Sequence, residues 1–224
     1  MLTRPHVILF DVNETLSNMD PLAERFAKLG APAHLAALWF SGVLRDGFAL
    51  TAAGSPASFG EIATDSLRRQ LAEVRPNGED DAAVAEIMAG FAALDLHPDV
   101  APSLTALSEA GLRLATLSNG AAQVAETLLG RAGVREVFER VLSVDDAPAW
   151  KPARTAYEYA VTALAVEPSA VMLVAVHPWD IHGAARAGLQ TAWLNRAGGA
   201  YPGYFAQPTV SIRSLGDLPG SLPV

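Results

Sequence analysis

No cysteine occurs among the 224 residues, which excludes a disulfide framework, a thiolate nucleophile and a zinc–thiolate site. Charge is sparse as well: charged residues make up 18% of the chain, and 16 basic against 24 acidic residues leave a net charge of −8. With no basic cluster, a nucleic-acid partner is not expected. The negative sign gives no long-range steering to an anionic substrate, so any anion must be attracted locally. Long apolar runs are missing too. None approaches the ~20 residues of a membrane helix, so no membrane partner is expected. The start, Met1-Leu2-Thr3-Arg4, passes into an apolar segment without the pattern of a signal peptide. These absences suit a cytoplasmic protein. Apolar residues, by contrast, are plentiful at 50%, enough for one large domain or a core domain with an insertion.

The apolar residues alternate between two periods. Val7 to Phe10, Leu112 to Leu117, Val141 to Val144, Val171 to Val176 and Thr191 to Leu194 read as buried strands, and 210–215 as an added edge strand. Amphipathic segments near 99–110, 121–132, 153–165 and 180–187 lie between them. Strands alternating with helices of this length imply βαβ units and a parallel sheet. Residues 17 to about 95 differ: helical patterns near 21–29, 33–46, 60–73 and 81–93, no strand, and a break at Gly54-Ser55-Pro56. The expected architecture is α/β, a Rossmann-like parallel-sheet core (1–16 plus 97–224) interrupted by an all-helical cap (17–96). The Gly/Ala/Tyr/Pro stretch at 197–203 reads as a surface loop.

Polar residues collect where the strands end. Asp11 follows the first strand, Ser118-Asn119-Gly120 the second, Lys151-Pro152 the third after a short loop, and Asp180 comes four residues after Val176. Ligands of open parallel sheets bind outside the carboxyl ends of the strands, so these groups converge on one edge. Taken singly, Thr15 and Ser118 could be turn caps, Lys151 a solvated lysine and Tyr157 a core aromatic. Asp11, Lys151 and Asp180 together are harder to explain that way, because charges at adjoining strand ends need one another.

Asp11-x-x-x-Thr15, Leu117-Ser118-Asn119-Gly120, Trp150-Lys151-Pro152 and Trp179-Asp180 resemble, in order and spacing, the four motifs of the haloacid dehalogenase superfamily. Ser118-Asn119-Gly120, the LSVD at 142–145, Tyr157 after Lys151-Pro152, and Trp193-Leu194-Asn195-Arg196 are similar to the type II 2-haloacid dehalogenases. The resemblance implies a hydrolase acting on a small molecule. Asp11 would be the nucleophile, and Thr15 and Ser118 would hydrogen-bond its carboxylate. Lys151 would keep Asp11 ionised, and Asp180 would pair with Lys151 and orient water. Ser118 and Asn119 would hold a substrate carboxylate, Tyr157 and Trp179 would line the pocket, and Trp39 and Phe40 would either line a more apolar pocket or pack the cap against the core. No cofactor or metal is implied, and relatives of this type are commonly homodimers.

Several positions depart from the pattern. The superfamily's phosphatases place an aspartate acid two residues after the nucleophile, where this chain has Asn13, and an acidic metal ligand where it has Val176. Asn13 cannot donate and recover a proton, and Val176 cannot bind Mg²⁺, which demands oxygen ligands. The adjacent Glu14 is expected to point elsewhere. The dehalogenases carry a halide-binding arginine where this chain has Phe40, and Arg45, five residues on, lies about 140° around a helix. Asparagine of the fourth motif is replaced by His177, which could donate to a halide or carboxylate as imidazolium, or accept a proton from water as imidazole; equally it could be satisfied by a backbone carbonyl. His182 is expected on the helix exterior. A small-molecule phosphatase and a non-catalytic binding protein remain as alternatives.

Overall fold

Val7–Phe10 form strand β1, and every residue of it is buried. A strand apolar on both faces can only lie inside a covered sheet. In the computed structural model, which describes residues 3–55, 57–74 and 80–223, the chain leaves β1 for four helices. These are α1 (Pro21–Lys28), α2 (Leu35–Ala52), α3 (Phe59–Val74) and α4 (Asp80–Ala92). It returns through α5 (Val100–Glu109), β2 (Arg113–Ser118), α6 (Ala122–Arg131) and β3 (Phe138–Ser143). Then come α7 (Arg154–Ala163), β4 (Val171–Ala175), α8 (Pro178–Arg186), β5 (Gln190–Leu194), β6 (Val210–Ile212) and α9 (Leu218–Ser221). Met1, Leu2 and Pro56 lie outside the described residues.

The described strands make one sheet in the order β3-β2-β1-β4-β5-β6, parallel throughout. β1 therefore sits at the centre, paired with β2 on one side and β4 on the other, and strand order reverses between β1 and β4. Ile8, Phe10, Leu104, Leu114, Met172 and Val174 belong to the apolar cluster beneath the sheet. The chain divides into two compact units, Met1–Ser17 with Leu96–Val224, and Asn18–Asp95. The second is helical, with α2 contributing Trp39 and Phe40 to its interior. The Trp39 indole donates to the Ala63 carbonyl at 3.0 Å and meets Phe91 edge-on at 5.8 Å. Phe40 packs against Phe59, itself stacked on Phe91.

Some boundaries differ from the sequence expectation for physical reasons. β3 begins at Phe138 rather than 141, because as an edge strand it can expose Glu139 and Arg140 and so has no apolar signature there. α2 runs through Asp46-Gly47 to Ala52, Gly47 being buried in packing that outweighs its low helix propensity. α8 starts at Pro178, whose fixed φ suits a first helical position. No helix among the described residues is long and apolar enough to cross a membrane.

Candidate active site

The carboxyl ends of β1, β2, β3 and β4 bring their polar residues together at the reversal point, where a parallel sheet opens a crevice. Asp11, Thr15, Ser118, Asn119, Lys151 and Asp180 are all buried, Thr15, Lys151 and Asp180 completely. Lys151 Nζ lies 2.9 Å from Asp11 Oδ1 and 2.7 Å from Asp180 Oδ2, bridging the two carboxylates. Thr15 donates from Oγ1 to Asp11 Oδ2 at 2.6 Å and accepts from the Val176 amide at 3.1 Å, so it ties the end of β1 to the end of β4. The Tyr157 hydroxyl donates to Asp180 Oδ1 at 2.6 Å.

His177 and Glu14 complete this cluster. His177 Nδ1 lies 3.2 Å from Asp11 Oδ2 and its Nε2 2.7 Å from Glu14 Oε2. Its two ring nitrogens thus face two carboxylates, an arrangement that only the doubly protonated imidazolium satisfies. Glu14 faces His177, a contact that the sequence reading did not anticipate. Glu14 has a left-handed backbone, φ 62°, which turns its side chain back towards His177. The His177 ring also stacks on Trp179 at 4.9 Å.

Burial sets the electrostatics, and partners decide them. Burial alone would raise the pKa of Asp11, but the Lys151 and His177 cations and the Thr15 hydroxyl outweigh it and hold the carboxyl well below its usual range. Burial would likewise neutralise Lys151, yet Asp11 and Asp180 raise its pKa. For His177 burial is overcome by its hydrogen bonds to Asp11 and Glu14 and by their charges, which push it up to about 9. Burial pushes Asp180 up. Burial and the neighbouring Asp180 carboxylate raise Tyr157 well above its normal value, so the phenol remains a neutral donor.

Other expected site residues take supporting places. Ser118 is not hydrogen-bonded to Asp11 among the described residues; its Oγ accepts from the Gly120 amide at 2.9 Å, closing the turn that ends β2. Asn119 spends its side-chain amide on the Lys151 backbone, donating to the carbonyl at 3.1 Å and accepting from the amide at 2.9 Å. It thereby fixes the peptide that carries the lysine, next to the cis bond to Pro152. His182, on the exterior of α8 and half-buried, accepts from the Ala206 amide at 3.0 Å and packs on Phe205. Trp39 and Phe40 lie in the interior of the helical unit.

Sequence reasoning missed Gly183 on α8 altogether. A Cβ there would stand 2.6 Å from the Tyr157 hydroxyl and 2.9 Å from the Pro152 carbonyl oxygen. Only glycine lets Tyr157 reach Asp180 across this helix. No local pattern signals that contact.

The donor set does not fit a divalent metal. Every carboxylate oxygen of Asp11 and Asp180 already accepts from Lys151, Thr15, His177 or Tyr157. Val176 brings no side-chain oxygen, and Mg²⁺ requires several oxygens around one point. Among the described residues no group of three or more His, Cys, Asp or Glu is placed to hold a metal ion.

A family model described as haloacid dehalogenase-like hydrolase matches residues 5–188. A curated (S)-2-haloacid dehalogenase of Pseudomonas sp. (strain YL) is 32% identical over 209 residues, spanning 92% of this chain and 87% of that protein. Haloacetate dehalogenase H-2 of Moraxella sp. (strain B) is 29% identical over 196 residues, 87% of each chain. A crystal structure of an L-2-haloacid dehalogenase superposes with a TM-score of 0.92 at 30% identity, over 98% of this chain and 99% of the other.

Proposed function

This chain belongs to the haloacid dehalogenase-like hydrolase family, and we propose that it hydrolyses the carbon–halogen bond of short 2-haloacids with Asp11 as nucleophile. One observation carries this reading. A buried carboxylate at the centre of the sheet is kept ionised by Lys151, Thr15 and His177, and an ionised carboxylate is the form that attacks carbon. An Asp11 oxygen attacks the α-carbon opposite the halogen. The C–O bond forms as the carbon–halogen bond breaks, the halide leaves with the electron pair, and the carbon inverts. Water then attacks the Asp11 acyl carbon of the ester, releasing a 2-hydroxy acid and regenerating Asp11.

His177 changes role between the two steps. While Asp11 is an anion, His177 holds protons on both nitrogens. Ester formation removes the Asp11 charge and its acceptor strength, two of the forces that raise His177, so the Nδ1 proton becomes easier to lose to solvent. The Nε2 proton stays donated to Glu14, whose carboxylate orients the ring. Nδ1 then takes one proton from the attacking water, acting as general base, and the second water proton follows the departing alkoxide oxygen. Asp180, held by Lys151 and Tyr157, keeps the lysine cation beside the reacting carboxyl group.

The test is halide release from L- and D-2-chloropropionate, monochloroacetate and fluoroacetate, with EDTA present and Asp11→Asn as control. Release that depends on Asp11 is expected, and a single turnover in heavy-oxygen water should leave the label in Asp11. A folded protein that releases halide from none of these acids overturns the proposal and directs attention to phosphate esters supplied with Mg²⁺.

A further inference from the structure

We propose that Arg196 is a positioning residue for the nucleophile, acting through the Asp11–Thr15 loop, with Asp99 and His97 as its supports; as a statement about catalysis it rests on the function proposed above. The loop after β1 contains the left-handed Glu14, a conformation that persists in a non-glycine residue only when the surroundings impose it. Two donors grip its successive carbonyls. His97 Nε2 lies 3.1 Å from the Glu14 oxygen, and since a carbonyl can only accept, Nε2 carries the hydrogen. Arg196 donates from Nη2 to the Thr15 oxygen at 3.0 Å. Thr15 is the residue whose hydroxyl touches both Asp11 and the Val176 amide, so a displacement of its carbonyl is felt at the nucleophile.

Arg196 is itself anchored. Its Nη1 reaches both carboxylate oxygens of Asp99, at 2.9 and 3.0 Å. Asp99 stands at the N-cap of α5 but does not cap that helix. Its Oδ2 accepts instead from the Ser214 hydroxyl at 3.1 Å and the Leu215 amide at 2.8 Å. A favourable cap is thus forgone for contacts that converge on the guanidinium. Arg196 Nε is buried without a hydrogen-bond partner among the described residues, so the side chain is placed for its two outer nitrogens. A planar fork holds a carboxylate and a carbonyl at once; a lysine ammonium lacks that geometry.

The experiment compares wild type with Arg196→Met and Arg196→Lys by three readouts: steady-state halide release, NMR titration of the His177 imidazole assigned with His177→Asn, and thermal unfolding. Arg196→Met should lower kcat about 10-fold or more while KM stays within about 3-fold, the split expected when a transition-state arrangement is lost. His177 should titrate about half a pH unit or more lower, because the loop carrying Asp11 and Glu14 no longer holds its contacts. Arg196→Lys should recover part of both effects. Loss of thermal stability alone, with kcat and the His177 titration unchanged, overturns the proposal. Should the wild type release no halide, the dehalogenase reading fails, and the His177 titration still decides whether Arg196 positions the loop. Should Arg196→Met not fold, Arg196→Lys and Asp99→Asn carry the same readouts.

Discussion

Replacing His177 with asparagine should remove a pH-dependent part of the stability that the wild type loses between about pH 6.5 and 9. His177 is raised from 6.5 to about 9 by Asp11 and Glu14. A group whose pKa is higher folded than unfolded stabilises the protein fully below the unfolded value, and loses that contribution as pH rises through the folded one. At about 1.4 kcal/mol per pH unit, the interval from 6.5 to about 9 amounts to about 3 kcal/mol. This is an upper bound, because the Glu14 side chain is 43% exposed and water screens its share. The Asp11–His177 contact also lowers the Asp11 pKa, and the two shifts describe one interaction that counts once. The assay is urea unfolding at pH 6, 7.5 and 9.5 for wild type and His177→Asn. Lys151 and Tyr157 are common to both proteins, so the difference between the curves isolates the histidine. Wild type should lose more stability than the variant on going from pH 6 to 9.5, by roughly 2–3 kcal/mol. Parallel curves would refute a buried imidazolium held between two carboxylates.

Three further substitutions test other parts of the arrangement. Lys151→Met leaves Asp11 and Asp180 buried without their shared cation and should cost roughly 3–5 kcal/mol in urea unfolding at pH 7. The penalty should shrink near pH 4, where the carboxylates take up protons; a loss below about 1 kcal/mol at pH 7 would contradict the bridge. Gly183→Ala puts a Cβ within 2.6 Å of the Tyr157 hydroxyl and should cost about 1–3 kcal/mol, while shifting the Tyr157 absorbance titration towards the ordinary tyrosine range; an unchanged titration would show that the two groups do not meet. Trp39→Phe removes the donor to the Ala63 carbonyl and should destabilise by about 1–3 kcal/mol with KM unchanged. A raised KM with unchanged stability would assign Trp39 to substrate instead.

What was readable in the sequence follows from how parallel sheets are built. Central strands are apolar on both faces, so Val7–Phe10 and Val171–Ala175 announce themselves, and the polar residues that interrupt them fall at the carboxyl edge by construction. Edge strand β3 hid its first half because Glu139 and Arg140 face solvent. Pairings were less legible than positions. Ser118 and Asn119 stand where they were expected, but their hydrogen bonds serve the backbone of Gly120 and Lys151, a choice set by tight turns that no periodicity encodes. His182, half-buried on the exterior of α8, takes its partners from Phe205 and Ala206, a segment with no periodicity to announce the contact. Gly183 and Arg196 act through contacts made between distant parts of the chain, which composition and spacing do not record.

Glu14 is the most instructive of these, because its contact with His177, unforeseen in the sequence, depends on a backbone conformation that the surroundings impose. In extended backbone, a side chain three residues after Asp11 would point to the opposite face. A left-handed conformation reverses that direction, at a cost of about 1–2 kcal/mol for a residue with a Cβ. Glycine would relieve that cost and would bring no carboxylate. What holds the strained residue is local and specific. The Ser17 hydroxyl accepts from its amide at 3.3 Å, His97 meets its carbonyl, and His177 meets its carboxylate at 2.7 Å. These contacts also tie the Asp11–Ser17 loop to the ends of β4 and α5, which links the geometry of Asp11 to the charge of the histidine. An asparagine at 177 could hydrogen-bond Glu14 but could not bring a positive charge to it. The histidine and the strained glutamate therefore support each other: His177 favours the conformation that Glu14 adopts, and Glu14 favours the proton that His177 carries.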